Sequence, residues 1–173
     1  MYLTSGPNKN IKGALYGGVR RREKFTMNID LNSFESQSAT VCREFKIQTY
    51  LPEEDVSKTL KAVTEIVPLQ IGSYGNVAFH SQPGTQKFRP VKGSHLGDSS
   101  QVFDFSVVEL TFSIPHDEDL LKQVIDRIFE VHIAEEPVIY IEEIWSTRAK
   151  SYSEKSNPNR FWNREDFKDE SKW

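Results

Sequence analysis

A strand-like run that ends in proline and passes straight into three acids occurs twice in this chain, and few folds accommodate that duplication. In the first copy Phe45, Ile47, Thr49 and Leu51 alternate with Lys46, Gln48 and Tyr50, the period of a half-buried strand. Pro52 stops it and Glu53, Glu54 and Asp55 follow; carboxylates there suit the positive end of a helix dipole. Val56, Leu60, Val63 and Val67 then recur at helical spacing as far as Pro68. In the second copy Val108, Leu110, Phe112 and Ile114 alternate with Val107, Glu109, Thr111 and Ser113. Pro115 stops that strand, and Asp117, Glu118 and Asp119 open the next helix. Leu121, Val124, Ile125, Ile128 and Phe129 form one apolar helical face.

Each copy closes on a further strand, at 76–80 and, after Pro137, at 138–145. The order is therefore β-α-β-β-α-β, an α+β, ferredoxin-like sandwich. Right-handed crossovers place both helices on one face of a four-stranded antiparallel sheet, with strand order 4-1-3-2. The expected helices lie near 53–67 and 117–131, with Leu60, Val63, Ile125 and Phe129 buried between helices and sheet. Residues 81–101, rich in Gly, Pro and Ser, read as a loop. The other sheet face would carry Lys46, Gln48, Tyr50, Val107, Glu109, Thr111, Val138 and Tyr140. That mixture is too apolar for an idle surface and too polar for a core, which suits a subunit interface.

The chain divides into a basic leader and N-terminal extension over 1–43, the domain over 44–145, and a polar tail over 146–173. The leader is distinctive: residues 1–26 contain Lys9, Lys12, Arg20, Arg21, Arg22 and Lys24 against the single acid Glu23, with no strong apolar period. It reads as a flexible segment; if it acts as a presequence the destination is the mitochondrion, and otherwise the cytoplasm is expected. The tail carries Phe161 and Trp162, which are expected to dock on the domain or on a neighbouring copy, since disordered tails are poor in aromatics.

At 173 residues the chain is long enough for one domain with a real core. A net charge of −3 weighs against nucleic acid and anionic membranes. No run approaches the roughly 20 apolar residues of a membrane helix. Cys42 is the only cysteine, which excludes an internal disulfide and a cysteine zinc cage.

Three segments, in order, carry a family resemblance. Ile71-Gly72-Ser73-Tyr74 through Phe79 is similar to an I-G-x-Y-x-x-x-x-F element. Gly84-Thr85-Gln86-Lys87-Phe88-Arg89-Pro90, followed by Gly93, is similar to G-T-x-x-F-R-P-x-x-G. His132-Ile133-Ala134-Glu135-Glu136-Pro137 is similar to H-P-Y-E-E-P. Together they resemble the PII/CutA-like domain of the Nif-three-like (NGG-one-interacting-factor-three-like) proteins, in a standalone form, over about residues 44–145. Gln86 replaces a glycine of that pattern and Ile133-Ala134 replace Pro-Tyr. The parent proteins hold two metals in a flanking α/β domain, so the resemblance implies no dinuclear centre here. It implies a small module that closes its open sheet face by forming a homo-oligomer, a trimer ahead of a dimer.

Two residue clusters are candidate sites. His132, Glu135 and Glu136 combine an imidazole with carboxylates, a donor set able to hold a divalent metal ion; the alternative is that they bond backbone groups. Lys87, Arg89 and Lys92 form a basic loop suited to a small anionic ligand; the alternative is a solvated loop. No activated nucleophile is legible: Cys42 has no histidine beside it in sequence, and no serine stands in a nucleophile-elbow context. The sequence therefore points to a non-catalytic module that oligomerises and binds a metal ion, a small anionic ligand or a protein partner. A metal-assisted hydrolase using His132 and Glu135 or Glu136 is the alternative.

Overall fold

The computed structural model describes residues 30–95, 97–150, 160 and 163. The leader expected over 1–26 and the docking of Phe161 and Trp162 fall outside these residues.

The duplicated pattern folds as its spacing requires. Strand β1 (Ala39–Leu51) leads through a single 3-10 turn (Glu53–Asp55) into helix α1 (Val56–Thr64). Strands β2 (Phe79–His80), β3 (Gly84–Phe88) and β4 (Phe103–Pro115) follow, then helix α2 (Glu118–Val131) and strand β5 (Ile139–Ala149). Asp117 caps α2, its side chain accepting from the backbone N–H groups of Asp119 and Leu120 at 2.9 and 3.0 Å. Glu118 and Asp119 fill the first turn, where their charge complements the dipole.

All strand pairings are antiparallel, in the order β2-β4-β1-β5. This is the expected 4-1-3-2 arrangement with one strand added. The addition is β3, which pairs with the first half of β4 from Gly84↔Val107 to Phe88↔Phe103. Gly84 to Phe88 thus belong to a strand rather than to the loop expected over 81–101. The β2–β3 edge is nearly continuous: Ser81 N–H still donates to Glu109 O at 2.9 Å, and pairing resumes at Gly84. Gln82 and Pro83 therefore stand opposite the single residue Val108, a β-bulge. Proline, lacking an N–H, fits such a position.

The strands are staggered. β1 covers β4 only from Val108 to Pro115, so the β3–β4 pair continues past the sheet as a two-stranded arm. The chain at its tip folds back tightly: at Gly97 (φ +95°) an added Cβ would lie 2.4 Å from Pro90 Cγ, which leaves room for glycine alone. At the opposite corner β1 and β5 pair beyond β4, from Ala39↔Ala149 to Arg43↔Trp145.

One sheet face is the core. Phe45, Ile47 and Leu51 of β1 and Val108, Leu110, Phe112 and Ile114 of β4 pack under Val56 and Val63 of α1 and Val124 and Ile128 of α2. Leu60 is partly buried against this cluster and Ile125 is half-buried, but Phe129 is 49% exposed. The apolar stripe of α2 is wider than the strip of helix that the sheet covers, and Phe129 falls on its open margin.

Candidate functional site

The other sheet face is not covered by any helix or strand among the described residues. Strand register sets its rows. Phe79, Thr111, Gln48 and Tyr140 lie side by side across four strands, and Glu109, Tyr50 and Lys46 flank them. Phe79 and Tyr140 are 64% and 55% exposed. Tyr140 meets Tyr50 edge-on with ring centroids 6.2 Å apart, and the Gln48 amide donates to the Tyr50 hydroxyl at 2.6 Å.

Towards the arm this face deepens into a cleft. The floor is Tyr50-Leu51-Pro52 at the end of β1; one wall is the arm, with Gln86, Phe88, Phe105 and Val107; the other is the turn from His132 to Glu136 between α2 and β5. This cavity has a volume of about 400 Å3. A second hollow of about 370 Å3 continues along the sheet past Glu109, Val138 and Tyr140, sharing Tyr50, Gln86 and Val107. The stagger of β4 creates the wall: only because β4 outruns β1 can the arm stand beside the loop.

His132, Glu135 and Glu136 meet at this cleft, and each has a definite role in its wall. His132 Nε2 lies 2.9 Å from Tyr50 O, and Ala134 N–H donates to His132 Nδ1 at 2.9 Å. With Nδ1 accepting, the ring proton sits on Nε2 and donates to the Tyr50 carbonyl. The imidazole thus ties the loop to the end of β1 and keeps neither nitrogen for a metal. Glu135 accepts from the backbone N–H of His95 at 3.1 Å and faces its ring Nδ1 at the same distance, which anchors the arm's tip loop to the opposite wall. Glu136 lines the same cavity. Among the described residues no three His, Cys, Asp or Glu side chains gather within reach of one metal ion. The residues of this cluster, as arranged, do not fit a metal centre.

Lys87, Arg89 and Lys92 do not line the cleft. Gln86 and Phe88 face it, so alternation along β3 turns Lys87 to the opposite side, where its ammonium pairs with Asp104 at 2.5 Å. The carboxylates of the groove, Glu109, Glu135 and Glu136, have no lysine or arginine among the described lining residues.

A second polar cluster lies at the far corner of the same face, and sequence reading misses it. Glu44 is only 5% exposed. Its carboxylate pairs with Arg148 and accepts from the hydroxyls of Ser113 at 2.9 Å and Ser146 at 2.7 Å. The signal available in the sequence is alternation: Glu44 shares the phase of Lys46 and Gln48, but its partners are 69 to 104 residues away. On the core-side phase nearby, Arg43 beside Glu143 holds that carboxyl below the ordinary carboxylate range, while His116 stacks on Phe45 with centroids 4.3 Å apart.

His132→Ala removes both loop ties. A destabilisation of about 1–2 kcal/mol is expected, together with faster hydrogen exchange at the Ala134 amide. An unchanged exchange rate there would contradict the role assigned to the ring.

No protein-family model and no curated protein matches this chain. Solved structures do. A protein related to NIF3 from Bacillus cereus aligns with a TM-score of 0.50 and 22% identity, over 62% of this chain and 27% of that one. The divalent ion tolerance protein CutA1 from Ehrlichia chaffeensis aligns at 0.44 with 13% identity, over 58% of this chain and 80% of its own. The divalent cation tolerance protein from Thermus thermophilus aligns at 0.42 with 19% identity, over 58% and 84%. The present chain thus corresponds to about a quarter of the length of the NIF3-related protein. No helix among the described residues is long and apolar enough to cross a membrane. The chain shares its fold with a segment of a NIF3-related protein, the group to which its three sequence segments point.

Proposed function

We propose that this chain is a non-catalytic PII/CutA-like module that self-associates through its uncovered sheet face. The observation that carries this is the row Phe79–Thr111–Gln48–Tyr140, which crosses four strands with an exposed aromatic ring at either edge. A contiguous face of this kind is seldom left in water by a monomer. Closure by a cyclic assembly, with a trimer ahead of a dimer, buries it without leaving a free end. Binding of a partner or ligand belongs to the adjoining cleft, whose walls are fixed by His132 and Glu135. Hydrolysis through a bound metal would require His132 to give up both of its backbone partners, and no observation favours it.

The test is mass in solution. Light scattering should give about three times the 20.0 kDa chain mass. Tyr140→Lys should dissociate the assembly, because it replaces one of the two exposed aromatic rings of the row with a charge that burial would strand. Tyr140 is the better probe than Val107, which is already buried within its own chain, so that a charge there would perturb the fold itself. A wild-type mass equal to one chain refutes self-association, and a mass of two chains refutes the trimer.

A further inference from the structure

The cleft is an apolar trough with an acidic rim, and the same chain carries a segment of complementary character. Phe88, Phe105 and Ile133 supply most of its apolar surface, over a floor that includes Pro52 and Val107. Glu135 and Glu136 stand on one wall and Glu109 in the adjoining hollow, with no lysine or arginine among the described lining residues. The charges of the chain are divided to match. Residues 1–26 hold six basic residues and one acid, whereas the whole chain has a net charge of −3, so residues 27–173 carry −8. The basic residues are interspersed with Ile11, Leu15, Tyr16 and Val19, which gives the segment apolar groups as well as charge.

From these features we infer that the leader of the chain, centred on Lys12 to Arg22, lies in the groove of its own domain. Opposite charges on leader and cleft steer and orient such a segment, and the apolar floor takes up its aliphatic and aromatic side chains. Reach permits it. Glu35 bridges to Thr40 at the far end of the sheet, and from Thr40 to Tyr50 β1 spans about 33 Å at about 3.3 Å per residue. The ten residues from Arg20 to Asp30 extend about as far, so Arg20 and everything before it can enter the cleft. The groove would then be occupied until a competing basic segment or ligand displaces the leader. This inference is separate from self-association, which is placed on the row Phe79–Thr111–Gln48–Tyr140, whereas the cleft is walled by the arm and the turn from His132 to Glu136 of one copy.

Digestion of the full chain with trypsin tests it. Cutting after Arg20, Arg21 and Arg22 should be about tenfold slower in the wild type than in Glu135→Gln/Glu136→Gln, since cleavage tracks the population of undocked leader. Salt at about 0.5 M should speed wild-type cutting by screening the contact. Glu54→Gln, on the helix side, should cut at the wild-type rate. Equal rates in the wild type and the double variant overturn the inference and leave the groove to another partner. A second measurement needs no variant. Carbodiimide coupling should join Lys12 to Glu135 or Glu136 within one chain. In an equal mixture of isotope-labelled and unlabelled protein, links that join the two kinds of chain, or no links to these carboxylates, overturn it.

Discussion

Ile128→Ala is expected to cost about 2–5 kcal/mol, whereas Phe129→Ala, one position further along α2, should cost about 1 kcal/mol or less. Ile128 is fully buried between α2 and the sheet. Removing its three outer carbons withdraws buried apolar surface and leaves a cavity that surrounding strands cannot fill, because β1 and β4 are fixed by their ladder. Phe129 keeps about half of its surface in water in the folded state, so truncation opens no enclosed void. Urea melts of the two variants decide the matter. Equal losses, or a greater loss for Phe129→Ala, would place the helix in the other phase.

Arg148→Met should cost about 2–3 kcal/mol, for a different reason. The substitution keeps most of the side-chain volume and removes the guanidinium paired with Glu44. The carboxylate is then left buried with the hydroxyls of Ser113 and Ser146 and the weakly donating thiol of Cys42. An uncompensated buried charge costs about 3–5 kcal/mol in general; the two hydroxyl donors and the partial exposure of Arg148 place this case at the lower end. The double variant Glu44→Leu/Arg148→Met should recover much of the loss, since it removes the stranded charge as well. If the single variant melts within about 0.5 kcal/mol of the wild type, the pair is a surface ion pair of ordinary small worth.

These two variants also mark where local reading of the chain succeeds and where it stops. The period of alternation at 45–51 and 108–114 and the two proline-acid junctions suffice for the strand order, the antiparallel pairing and the side of the sheet on which the helices lie. Each of those follows from side-chain periodicity and backbone chemistry within a few residues. The exposure of Phe129 escapes such a reading, because a helical stripe tells which side is apolar, not how wide a strip a particular sheet will cover. The arm escapes it because Gly84 to Phe88 lack an apolar alternation of their own; Phe103, Phe105 and Val107, which do alternate, are the available sign of its partner.

The site divides in the same way. The segment from His132 to Glu136 stands out in the sequence as a cluster of polar side chains, and it does form one wall of the cleft. Its role does not follow, because the partners of His132 are the carbonyl of Tyr50, 82 residues away, and an amide two residues on that only this turn brings to the ring. Lys87, Arg89 and Lys92 are neighbours in sequence, yet strand pleating turns Lys87 away from the cleft. Glu44 gives no sign of burial, since its charge is compensated only once β1 lies between β4 and β5. Local chemistry, acting over a handful of residues, determined the two helices, the four strands of the duplicated pattern and their order. The stagger of long strands, which is set by the full antiparallel register, decided that the chain has a cleft, which residues line it, and that its rim is acidic.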